Sequence, residues 1–109
     1  MKSLIDKSKV LAERKLGEKA KKIPGVKFLT LTGMFTDEEQ VSTDVLFIGK
    51  VSRDNMEKFI SELKKVYRMD IRYTYFTMQE CNLRRNVTDK FLYSILNNKK
   101  IVLVNKLKI

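Results

Sequence analysis

The sequence predicts an α/β (α+β) fold, one mixed sheet of about four strands packed against helices in the order α-β-β-α-β-α-α-β. Three observations lead there. Stretches whose apolar residues recur at helical spacing alternate with short β-branched and aromatic runs bounded by glycine or capping residues. The run Val45-Leu46-Phe47-Ile48 is apolar without alternation, as a strand covered on both faces requires. The chain has 109 residues, 43% apolar and 33% charged, which suits one packed core under a well-solvated surface. Residues 1–109 are therefore expected to form a single domain, with no internal repeat, low-complexity tract or Gly/Ser linker.

From the start, Ile5, Ala12, Leu16, Ala20 and Ile23 fall on one helical stripe with lysines filling the other positions, and Pro24-Gly25 ends that helix. Val26 to Thr32 and Thr43 to Gly49 have strand character and are separated by a polar loop with Asp37, Glu38 and Glu39, so a hairpin-like pair is expected. Ser52 is placed to cap a helix with Asp54 in its first turn and Met56, Phe59, Ile60, Leu63, Val66 and Tyr67 on its inward face. Ile71 to Phe76 alternates β-branched and aromatic with polar residues, after which Thr77-Met78-Gln79-Glu80 spells a capping box for a short helix. Thr88 is expected to cap a last helix bearing Phe91, Leu92, Ile95 and Leu96, and Ile101 to Val104 makes the final strand.

Composition narrows the chemistry. There is no histidine, which removes His-activated nucleophiles and every His-ligated metal site and leaves carboxylate and Mg²⁺ chemistry as the catalytic option. The lone Cys81 cannot form an internal disulfide and is expected to pack in its helix, as in a reducing compartment. No apolar run reaches membrane-span length and Met1 to Leu16 carries charges throughout, so a cytoplasmic protein without membrane contact is expected.

The formal net charge is +10, unevenly spread. Residues 1–27 hold nine bases and three acids and residues 71–109 eight bases and two acids, while residues 28–49 hold four acids and no base. Such a dipolar, basic surface suits an acidic protein, nucleotide phosphates or nucleic acid. Arg72 and Thr74 alternate with Tyr73 and Tyr75, an arrangement that describes both a base-stacking face and an ordinary half-buried strand. Gly49-Lys50 is not a phosphate loop, because Asp44 stands where that motif needs glycine and Val51 where it needs Ser or Thr.

Thr32-Gly33-Met34 closes the first strand, and Ser42-Thr43-Asp44-Val45-Leu46 opens the second. In this order the chain resembles the minimal nucleotidyltransferase superfamily, which places a Gly-Ser pair after its first core strand, Asp-x-Asp entering the second and a further carboxylate on a later strand. Over about residues 10 to 105, the later pattern Tyr75-Phe76-Thr77, Glu80, Arg84 or Arg85, and Asp89-Lys90-Phe91-Leu92 is similar to the branch of small nucleotidyltransferase-like domains often linked to winged-helix transcriptional regulators. No winged helix can be fitted ahead of the core.

The resemblance implies a nucleotide-binding mouth at Gly33, Met34 and Ser42, with Asp44 as a remnant metal ligand and Asp70, at the edge of the third strand, as a second. It also departs from the family. Ser42 stands where the first acid would be, Met34 where the serine would be, and no acid lies inside the third strand. Two Mg²⁺ ions need several hard carboxylate ligands, so a degenerate metal site and a non-catalytic binding or regulatory module are expected, with a protein, a second copy, a nucleotide or nucleic acid as partner. Two alternatives stay open: an active Mg²⁺-dependent nucleotidyltransferase acting on a protein or small hydroxyl acceptor, and a nucleic-acid binder working through charge alone.

Overall fold

The computed structural model describes residues 7–36 and 42–107. Its elements are α1 (Lys7–Lys21), β1 (Val26–Leu31), a 3₁₀ turn (Gly33–Phe35), β2 (Val45–Gly49), α2 (Arg53–Tyr67), β3 (Tyr73–Phe76), α3 (Met78–Asn86), α4 (Lys90–Leu96) and β4 (Ile101–Asn105). This is the α-β-β-α-β-α-α-β order expected from the sequence. The four strands form one mixed sheet in the order β3-β2-β1-β4. β1 runs antiparallel to both β2 and β4, whereas β2 and β3, joined through α2, are parallel.

The unalternating run in β2 has the predicted cause. Its five residues are all buried, and its side chains divide between two cores. Val45 and Phe47 face the layer made by α1 and α2, where they meet Leu16, Ala20, Met56, Phe59, Ile60 and Leu63. Leu46 and Ile48 face α3 and α4, with Phe28, Phe76, Cys81, Leu92 and Ile95. Phe47 stands edge-on to Phe59 of α2 at 6.0 Å and to Tyr73 of β3 at 5.8 Å, so a single ring ties the crossover helix to both parallel strands.

Helix ends follow local chemistry. Ser52 caps α2 by accepting from Asn55 N at 3.2 Å. The capping box of α3 is complete, with Glu80 N donating to Thr77 Oγ1 and Thr77 N to Glu80 Oε1, each at 3.1 Å. The cap of α4 is corrected from Thr88 to Asp89, whose Oδ2 accepts from Leu92 N at 3.0 Å. Thr88 adopts φ 52°, the left-handed region, as the chain turns out of α3, which shifts the cap one residue along. In α1, Leu16 and Ala20 are buried as the stripe predicts and Ile23 packs partly against the same core. Ile5, the side chain of Ala12 and the loop acids Asp37, Glu38 and Glu39 lie outside what is described.

Candidate functional site

Where β1 ends and β2 begins, the sheet forms a mouth built around one carboxylate. Thr32 N donates to Asp44 O at 2.8 Å, which holds the end of β1 against the start of β2. Gly33 then turns the chain at φ 57°. A Cβ at this position would press into Thr43 O and stand 2.5 Å from Asp44 Oδ1, so only glycine brings the backbone this close to the carboxylate. Its positive φ is a turn geometry that glycine adopts without steric cost.

Asp44 is 1% exposed. A buried carboxylate needs donors, and one residue supplies three of them. Arg72 N donates to Oδ2 at 3.0 Å, Arg72 Nε to Oδ2 at 3.2 Å and Arg72 Nη2 to Oδ1 at 3.2 Å. Asp44 N and Val45 N both return to Arg72 O, at 2.9 and 3.1 Å. The reason is register. Val45 pairs with Tyr73 across the parallel β2–β3 ladder, so Asp44 and Arg72, each the residue before its strand, arrive side by side. The hydrogen bond to Asp44 and then the negative charge of Asp44 push the Arg72 guanidinium above its ordinary value, with desolvation opposing them.

Hydroxyls line the same end of the sheet. Thr43 Oγ1 accepts from Thr74 Oγ1 at 3.0 Å and lies 3.2 Å from Val45 O and 3.4 Å from Arg72 O. Thr32 is fully buried, and its Oγ1 has no hydrogen-bond partner among the described residues. An unmet hydroxyl of this kind costs about 1–3 kcal/mol.

The structure brings Gly33 and Asp44 into contact and sets Ser42, exposed, two residues ahead of Asp44. Met34 sits in the 3₁₀ turn, its side chain outside the described residues. Asp70 is exposed in the segment between α2 and β3, two residues before Arg72. Among the described residues no three of His, Cys, Asp or Glu converge to hold a metal ion. Both Asp44 oxygens accept from the Arg72 guanidinium, and no cluster of three potential ligands forms there among the described residues, which is a poor donor set for a divalent metal.

Sequence reasoning missed Arg72 as part of the mouth. The available signal was an acid and a base at equal offsets before two strands joined by a single helix. That pattern becomes a contact only when the strands are parallel and in this register. Tyr73 and Tyr75, considered for stacking, pack partly against the α1–α2 core, and Tyr75 Oη donates to Gly49 O at 2.6 Å.

Comparison with protein-family models, with curated proteins and with solved structures gave no match. No helix among the described residues is long and apolar enough to cross a membrane.

Proposed function

We propose that this chain is a catalytically degenerate nucleotidyltransferase-fold domain that works as a binding or regulatory module. Several features support the reading. The first is a glycine turn after one strand set against an acid entering its antiparallel neighbour, with a parallel third strand beyond a helix. The observation that carries the degenerate part is the Asp44–Arg72 pair. A guanidinium occupies both oxygens of the one carboxylate that would have to grip Mg²⁺. Arginine stays protonated throughout the accessible pH range and, unlike a metal ion, activates no water and bridges no phosphate to an attacking hydroxyl.

Titrating the full chain with Mg²⁺ and ATP while following amide resonances tests this. No Mg²⁺-dependent shift at Gly33 or Asp44, and no transfer of a labelled nucleotidyl group to protein or small hydroxyl acceptors, is the expected result. Transfer that requires Asp44 would overturn the reading in favour of the active enzyme.

The charge-only nucleic-acid reading draws on the basic segments 1–27 and 71–109. Counterion release gives it a distinct signature, an affinity for duplex or single strands that falls steeply with salt. Binding indifferent to salt removes it.

A further inference from the structure

β4 is the last strand of the sheet and pairs on one side only, with β1. Among the described residues no strand lies beside its outer edge. The other edge strand differs, for none of its side chains is exposed, whereas β4 exposes Ile101 (45%), Val102 (40%) and Asn105. Successive side chains of a strand point to opposite faces. Ile101 and Val102 therefore leave the beginning of β4 partly exposed on both faces, while Val104 further along packs in the α1–α2 core.

Exposed edges invite a further strand, and natural sheets blunt them with charge, proline or bulges. Within Ile101–Val104 there is no charge and no proline, and β-branched residues predominate. Two devices remain. The pairing with β1 is irregular at Leu103, because Leu29 pairs with Val104 and Thr30 with Val102. Lysines also bracket the strand, with Lys99 and Lys100 before it and Lys106 after it. Lys100 Nζ donates to Leu96 O at 2.8 Å, and none of the three joins an ion pair among the described residues.

The brackets select the occupant. If β4 of a second copy paired antiparallel about Leu103, Lys100 of each chain would stand directly opposite Lys106 of the other, with Lys99 one place along, and like charges directly opposite one another destabilise a ladder. Self-pairing is opposed at both ends, on a chain that already carries a net charge of +10. The same lysines attract a strand that brings carboxylates to both ends. A device that repels the identical partner while admitting an oppositely charged one sets specificity by exclusion as well as by attraction.

We propose that the outer edge of β4 is a docking surface for an extended, acidic segment of another protein. An apolar centre of that segment pairs with Ile101–Val104, and acidic residues at its ends meet Lys99, Lys100 and Lys106. Main-chain hydrogen bonds supply affinity, and the exposed side chains of Ile101 and Val102 supply apolar contact on the two faces. This surface lies across β1 from the Asp44–Arg72 mouth and does not depend on the reading given to that mouth.

The test uses the full chain and a labelled nine-residue peptide of alternating valine and threonine with paired glutamates at each end. Three comparison peptides carry lysines in place of the glutamates, N-methyl groups on alternate amides, or glycines in place of the valines. The glutamate peptide is expected to shift and protect the amides of residues 101–106. Its affinity should fall about tenfold or more as salt rises from about 0.01 M to about 0.15 M and the screening length contracts from ~30 Å to ~8 Å. The N-methyl and lysine peptides should fail to bind, and the glycine peptide should bind weakly. The doubly exchanged variant Lys99→Glu/Lys106→Glu, which alters only exposed side chains, should reverse the preference toward the lysine peptide. Shifts centred on α1, equal binding of the N-methyl peptide, or an unchanged preference in that variant overturns the proposal. So does a salt-stable dimer in sedimentation that Val102→Asp dissociates, because the occupant would then be a second copy.

Discussion

Arg72 holds Asp44 from two directions at once, donating from its backbone at 3.0 Å and from its guanidinium at 3.2 Å to each carboxylate oxygen. One residue is both the hydrogen-bond donor and the counter-charge of a carboxylate that is 1% exposed. The two roles are separable by substitution. Asp44→Ala strands the Arg72 N–H inside the mouth and is expected to lower stability by about 1–3 kcal/mol in urea unfolding. Arg72→Met keeps the backbone donor and removes the charge. If the mouth has lost its metal function, Mg²⁺ added to the Arg72→Met chain will leave its melting temperature unchanged, and a Mg²⁺-dependent rise would show that freeing Asp44 re-creates a metal site.

Gly33 carries a second prediction. At φ 57° any side chain costs about 1–2 kcal/mol in backbone conformation alone. Alanine would add the approach to Thr43 O and Asp44 Oδ1. Gly33→Ala should therefore destabilise by at least about 2 kcal/mol on the same conformational scale, whereas Gly17→Ala should be neutral or stabilising. A Cβ at Gly17, inside α1, meets nothing within 4 Å. Parallel denaturation curves of the two variants check the contrast.

Acid sensitivity follows from the cap of α4. The Asp89 carboxyl is held below its ordinary 3.8 by the Leu92 N–H and then by Arg84, with desolvation opposing both. Around that pH the folded chain binds fewer protons at this position than the unfolded chain does. The contribution is thus complete above about 3.8 and disappears as pH falls through the lower folded value. Asp89→Asn keeps a capping oxygen and loses the charge. Its melting temperature should lie below that of the parent at pH 7, and the difference should close as pH drops under about 3.8.

At the alkaline end the relevant group is Cys81, fully buried in the α3–α4 core. Burial pushes its thiol above the ordinary 9.0, and nearby Arg85 offsets this only in part. A folded value that is raised gives a contribution present below 9.0 and lost as pH climbs through the higher folded value. The thiol should react slowly with a disulfide reagent in the folded chain and quickly in denaturant. Cys81→Ala should cost about 1 kcal/mol at neutral pH and flatten the loss of stability above pH 9.

How much of this was readable depends on the range of the interaction. The capping box Thr77–Glu80, the Ser52 cap and the inward face Met56, Phe59, Ile60 and Leu63 are local, and all appear as the sequence predicts. The cap of α4 was misplaced by one residue. Both Thr88 and Asp89 are good capping types, and the choice between them rests on the left-handed turn at Thr88. In the mouth, Gly33 and Asp44 were singled out by the resemblance to a family that sets a glycine after one strand and an acid before the next. Arg72 was not, since its meaning depends on a neighbour 28 positions away.

What the chain encodes by itself is the set of elements, their order and the two-faced burial of β2. Periodicity and capping act over a few residues, so they are written in consecutive letters. Strand order, the parallel pairing of β2 with β3 and the place of β4 at the end of the sheet were decided only in three dimensions. The charge partnership of Asp44 with Arg72 belongs with them. Those features arise from which strands lie side by side and in what register, and a shift of one residue in the β2–β3 ladder would leave the same sequence with its buried carboxylate facing a different side chain.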